Sequence, residues 1–267
     1  MSLAIDIVTA CNASSPWLMM VHGVSQDRRV FSAQIEYFSR EFNLLLVDLP
    51  GHGQSVDMDG PYGLVEFADS LCAAQDKAGI TASHFWGTHL GAGAGLILAA
   101  QYPHRVHSLI VEAPVLPGYP LPSVTGILDK VRHTAIHSGV DAARHIWLAE
   151  SPWFAVMREH PIECRLNEHN AMVASFTGKP WLDSRLAKPV EAIDDELALL
   201  DTPVLIINGE YDLADFIEVA GTLRGLMRNT EHIFIPGGGG FPLWEYPDTV
   251  NATVSQFLQK CSLPRTF

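Results

Sequence analysis

The stretch His84-Phe85-Trp86-Gly87-Thr88-His89-Leu90-Gly91-Ala92-Gly93-Ala94-Gly95 decides the fold. A β-rich run from His84 to Trp86 meets two glycines that bracket His89, and small residues then open a helix through Leu96, Ile97, Leu98, Ala99 and Ala100. Glycine lets a strained backbone pass close to its neighbours. The spacing therefore predicts a strand, a sharp turn with His89 at its apex, and a helix.

Working outward, the runs Trp17 to Val21, Leu44 to Val47, Ser108 to Val111, Pro203 to Asn208 and His232 to Ile235 are short and mostly apolar, as strands covered on both faces are. Leu3 to Val8 alternates apolar and polar residues, the pattern of an edge strand. Between them the apolar residues of 27–42, 64–80, 216–227 and 248–260 recur at helical spacing. Strands alternating with amphipathic helices predict an α/β fold, a mostly parallel sheet covered by helices on both faces. Residues 117–200 break that rhythm: they are helical in composition with no clear strand. They read as a helical lid inserted over the sheet's C-terminal edge, leaving 1–116 and 201–267 as the core.

The 267 residues suit one domain with such an insertion. A formal net charge of -13 disfavours nucleic acid and anionic membrane as partners. Cys11, Cys72, Cys164 and Cys261 lie too far apart for a paired zinc or redox motif. The N-terminus lacks a basic segment followed by a long apolar run, and no stretch reaches the length of a membrane span, so a cytoplasmic protein is expected. The final helix, with Val250, Val254, Phe257 and Leu258, is expected to pack on the sheet, so no partner face is marked.

The chain resembles the α/β-hydrolase superfamily, specifically its small capped esterases, C-C bond hydrolases and haloperoxidase-like enzymes. Five segments carry the resemblance in the right order: His22-Gly23, Asp48-Leu49-Pro50-Gly51-His52-Gly53-Gln54-Ser55, Gly87-Thr88-His89-Leu90-Gly91, Asn208-Gly209-Glu210-Tyr211-Asp212, and Pro236 to Pro242 followed by Glu245 and Pro247. The central one has the shape of the G-x-S-x-G nucleophile elbow. The family's chemistry takes a nucleophile, an acid and a histidine in that chain order, with backbone N–H groups holding the oxyanion. Carried over by position, the acid is Asp212, but the nucleophile falls on His89 and the histidine on Gly240. The resemblance assigns the oxyanion hole to the N–H groups of Val24 and Leu90. No acyl-enzyme of the serine-hydrolase kind is expected.

Two readings of the double change remain open. An imidazole at 89 reaches farther than a serine hydroxyl, and Gly240 vacates the histidine's volume, so His89 is able to swing over to Asp212. That transposed dyad would serve as a general base or anchor a polar ligand group. Turnover would then be that of an atypical hydrolase, a lyase or a cofactor-free oxygenase. Alternatively, His89 is an ordinary pocket histidine in a pseudoenzyme that binds a small molecule or a partner.

The expected ligand is a small, largely apolar carbonyl-type molecule, and no cofactor or metal is expected. His133 and His137, four apart on a helix, read as a solvated face because no third metal ligand accompanies them. Glu112 reads as a salt-bridged loop residue, although some superfamily members carry an alternative acid there. His22 and His52 read as loop braces. Trp147, Trp153, Phe154, Phe176 and Trp181 form the insertion's aromatic set. Trp153 and Phe154 are the expected pocket lining, because Ser151-Pro152 should break a helix there. Gly240 and Phe241 are also expected to bind ligand, with Phe241 and Trp244 flanking the Gly240 position.

Overall fold

The computed structural model describes residues 3–12, 14–185, 187–188 and 190–262. The ends of the expected core (residues 1–2 and 263–267), and residues 13, 186 and 189, lie outside the described residues. The first half runs β1 (Ile5–Val8), β2 (Trp17–Val21), α1 (Ser32–Phe38), β3 (Asn43–Val47), α2 (Leu64–Lys77), β4 (Ser83–Thr88), α3 (Leu90–Gln101) and β5 (Val106–Glu112). Six helices follow: α4 (Pro122–Ser138), α5 (Val140–Glu150), α6 (Ala155–Glu159), α7 (Leu166–Ala174), α8 (Lys179–Leu182) and α9 (Asp194–Ala198). The chain then returns through β6 (Val204–Gly209), α10 (Ala214–Leu226), β7 (Thr230–Ile235), α11 (Pro242–Glu245) and α12 (Pro247–Ser262).

Seven strands form one sheet in the order β1-β3-β2-β4-β5-β6-β7. Among the described residues only the β1–β3 pair is antiparallel. Because successive side chains point to opposite faces of a sheet, each central strand feeds two cores. Leu18 and Met20 join Trp86, Ile110, Phe31 and Phe38 on one face, while Met19 and Val21 join Phe85, Val111, Leu71 and Leu98 on the other. This double burial explains the apolar runs Trp17 to Val21 in β2 and Leu44 to Val47 in β3. The helix expected over 27–42 is shorter: a 3-10 turn at Arg28–Phe31 precedes α1, and Asp27 caps that turn by accepting from the Arg29 N–H. Among the described residues no helix is long and apolar enough to cross a membrane.

The β4–α3 turn holds His89 at φ 47°, ψ −108°. Its N–H donates to the Glu112 carbonyl (2.8 Å), and its own carbonyl accepts from Gly93 N–H (3.0 Å). A Cβ on Gly87 would lie 2.6 Å from the Ala92 nitrogen, and one on Gly91 would overlap the carbonyl oxygens of Val21 and His22. Only glycine lets α3 start this close to β2. Two more non-glycine residues with positive φ, Ser25 after β2 and Ala113 after β5, lie at the same end of the sheet. Such backbone strain clusters at functional sites.

Replacement of Gly91 by alanine should therefore cost about 3 kcal/mol or more, a fall in Tm of roughly 6–12 °C for a chain of this size. Gly221 in α10 has nothing within 4 Å of its would-be Cβ. There Gly→Ala should stabilise by about 0.5–1 kcal/mol. Thermal unfolding of the two variants checks both signs.

Candidate functional site

Beside the turn lies a cavity of about 360 Å³. His89 and Leu90 line it from the elbow, Val24 from the loop after β2, Trp153 from the segment after α5, and Phe216 from α10. Further lining comes from α4, where Val124, Thr125, Leu128 and Arg132 share one helix face. Leu90 opens α3, so its N–H has no acceptor within the helix.

His89 is 3% exposed. Three rings enclose its imidazole, with centroids 5.3 Å (Trp153), 5.2 Å (Phe216) and 4.5 Å (Phe241) away. Neither ring nitrogen has a hydrogen-bond partner among the described residues. Burial pushes its pKa down to about 3, opposed only in part by the nearby Gly240 carbonyl, which lies outside hydrogen-bond geometry. The ring is therefore neutral at ordinary pH, with one donor and one acceptor unmet. The indole nitrogens of Trp153 and Trp181, which also line the cavity, are likewise buried without partners among the described residues.

The expected His89–Asp212 dyad is not made. Asp212 follows β6, and both its oxygens are engaged locally: Asn208 Nδ2 donates to Oδ2 and the Leu213 N–H to Oδ1, each at 2.8 Å. The gap expected at Gly240 is filled, since a Cβ there would lie 2.7 Å from Trp153 Cδ1 and 3.0 Å from the Trp153 carbonyl oxygen. Trp153, from the helical segment between β5 and β6, takes the volume into which His89 was expected to swing. Asp212 is outside the cavity lining, and so are Phe154, Gly240 and Phe241. Phe154 and Phe241 instead stack on each other at 5.2 Å and 10° within the core, because apolar rings from the insertion and from α11's approach meet there.

Glu112 also departs from its expectation. It ends β5 fully buried, with no ion pair among the described residues; Oε2 accepts from the Leu243 N–H (3.1 Å) and Oε1 has no partner. With Asp212 and Glu245 it forms a set of three mutually repelling carboxyls. Burial foremost raises all three, Glu112 well above the usual range and the other two to about 7.

His22 and His52 brace the loops beside the turn. The Leu49 N–H donates to His22 Nε2 (3.0 Å), so Nδ1 carries the proton and donates to the Gly23 carbonyl (2.7 Å). His52 Nδ1 meets the Pro50 carbonyl at 3.0 Å. His133 and His137 stack at 4.1 Å on an exposed face of α4. Sequence reasoning missed Arg132, Leu128 and Val124; their shared spacing along α4 was the available signal. It also missed Glu245, whose burial no local pattern announces.

This is the α/β-hydrolase fold. A family model described as the alpha/beta hydrolase fold matches residues 16–135. A proposed carbamate hydrolase, RutD, from Pantoea ananatis is 25% identical over 256 residues, covering 93% of this chain and 90% of that one. Among solved structures, a thermophilic esterase from Thermogutta terrifontis superposes with a TM-score of 0.82 at 21% identity, covering 98% of this chain and 94% of the esterase. MenH from S. aureus does so with 0.83 at 21%, covering 97% and 99%. The family model and the structural neighbours thus agree on the α/β-hydrolase fold.

The carboxyl set makes stability pH-dependent with a definite sign. Glu245 has an unfolded pKa near 4.3 and a folded value of about 7, so the folded state holds the proton longer. Its penalty is absent below about pH 4.3, grows as pH rises, and is complete above about 7. Glu245→Gln should leave stability nearly unchanged at pH 4 and raise it by about 1–3 kcal/mol at pH 8. Glu112→Gln should act in the same direction. Urea unfolding at the two pH values is the check.

Proposed function

We propose that the protein binds a small, largely apolar carbonyl compound in the cavity beside His89 and does not turn it over through an acyl-enzyme. One observation carries this reading. Three residues that line a largely apolar cavity, His89, Trp153 and Trp181, carry buried ring or indole nitrogens without partners among the described residues. An unsatisfied buried polar group costs about 1–3 kcal/mol, and a ligand oxygen accepting from these donors would recover part of it. A few polar groups in an apolar pocket are what small-molecule sites consist of. In this reading the N–H groups of Val24 and Leu90 hold the carbonyl oxygen, as they would hold an oxyanion in a catalytic relative. The triad is degenerate, with His89 and Gly240 at its nucleophile and histidine positions, and residues 117–200 act as the lid.

The name of the RutD relative offers hydrolysis as the other reading. An imidazole whose conjugate acid has a pKa of about 3 is a poor base at neutral pH. Asp212 is not positioned to raise it. Binding is therefore the better-supported function.

Titration with acetophenone, followed by the fluorescence of Trp153 and Trp181, should saturate with Kd roughly between 0.1 and 5 mM, a range set by nine heavy atoms. His89→Ala should weaken binding by about fivefold to tenfold. p-Nitrophenyl acetate should be hydrolysed no faster by the wild type than by His89→Ala. A burst of p-nitrophenol that disappears in the variant would overturn the binding reading in favour of nucleophilic catalysis.

A further inference from the structure

The chain carries 30 acidic side chains against 17 lysines and arginines, yet no aspartate or glutamate lines the cavity. With His89 neutral, the charged residue among the described lining is Arg132 alone. It extends the lining face of α4 one turn beyond Leu128 and is exposed, so it stands at the rim. Its guanidinium makes no ion pair or hydrogen bond among the described residues.

No neighbouring acid forms an ion pair with it among the described residues. Glu150 is paired with Lys130, and Asp183, in the adjoining groove that Arg132 also lines, is paired with Arg185 at 2.6 Å. Asp129, one turn earlier on α4, forms no ion pair within reach among the described residues. Arg132 thus keeps all five of its donors for something else.

We propose that the natural ligand is an amphipathic monocarboxylate: an apolar body with a carbonyl that enters the cavity, and a carboxylate that stays at the rim on Arg132. The inference rests on the carbonyl-binding reading above and names the ligand class. A planar guanidinium matches a carboxylate through two parallel hydrogen bonds. One unpaired cation, with the neighbouring Arg185 already paired with Asp183, suits a single negative charge; a phosphate dianion would call for more. The rim position lets the carboxylate keep part of its hydration, so no charge has to be buried. In a molecule of net charge -13, an anion is repelled at long range. An acid-free lining with one free arginine is what admits it at short range.

The test uses two matched pairs of probes, 4-oxo-4-phenylbutanoate with its primary amide and 6-oxo-6-phenylhexanoate with its primary amide. Each is titrated by tryptophan fluorescence into wild type, Arg132→Gln and Arg132→Lys. For at least one chain length, the carboxylate should bind the wild type about tenfold more tightly than the amide. That preference should fall to about twofold or less in Arg132→Gln, survive in part in Arg132→Lys, and shrink when salt is raised from 20 to about 500 mM. The amide should bind all three proteins alike, which also shows that the variants are folded. Equal binding of carboxylate and amide at both lengths, or a preference undiminished in Arg132→Gln, would overturn the monocarboxylate and leave the carbonyl-binding cavity standing. Failure of all four probes to bind would overturn both.

Discussion

The backbone at residue 89 is held at φ 47° and ψ −108°, a conformation that costs an ordinary L-residue about 1–3 kcal/mol. Everything around the cavity follows from how that cost is met. Gly87 and Gly91 remove the two Cβ atoms that would keep β4, α3 and β2 apart, and hydrogen bonds to Glu112 and from Gly93 fix the turn. The run of small residues in α3 continues the close approach, since Gly95 lies against the Phe85 ring. His22, clamped between Gly23 and Leu49, ties the loop after β2 to the loop after β3. These constraints bring Val24, His89 and Leu90 to one cavity wall.

What stands opposite that wall comes from the helical segment between β5 and β6. Trp153 packs on His89 and Phe216, and its backbone and ring occupy the space beside Gly240. Trp147 donates to Ser25, which pins the insertion to the strained loop after β2. The two halves of the cavity therefore share one core rather than meeting across a loose interface. Glycine at 240 is required here by Trp153, not by any backbone conformation.

Packing Trp153 against Gly240 leaves no cation among the described residues in this part of the core, which has an electrostatic consequence. Asp212 is buried with no cation beside it, and Glu112 and Glu245 lie close enough to repel it and each other. Raised carboxyl pKa values are the response of buried acids that lack a counter-charge. His89 responds to the same burial in the opposite direction. An acid and a base that are both driven towards neutrality do not sustain the ion pair of a His–Asp dyad. Charge re-enters only at the rim, through Arg132, where water still screens it.

The sequence by itself determined the sheet, its edge strand and the elbow. Strands buried on both faces need unbroken apolar runs such as Leu44 to Val47, and a close strand-to-helix turn needs glycines at 87 and 91; both are local requirements. It also determined that α5 ends before Ser151-Pro152, since proline restricts the residue ahead of it. Only the tertiary structure decided the relation of His89 to Asp212. Reach along the chain says what a side chain is able to touch, whereas the contact made depends on which residue fills the intervening space, and here Trp153, 64 residues beyond His89, fills it. The same holds for the burial of Glu112 and Glu245 and for the place of Arg132 at the rim. Burial and electrostatics belong to surroundings assembled from distant segments, and no local pattern encodes them.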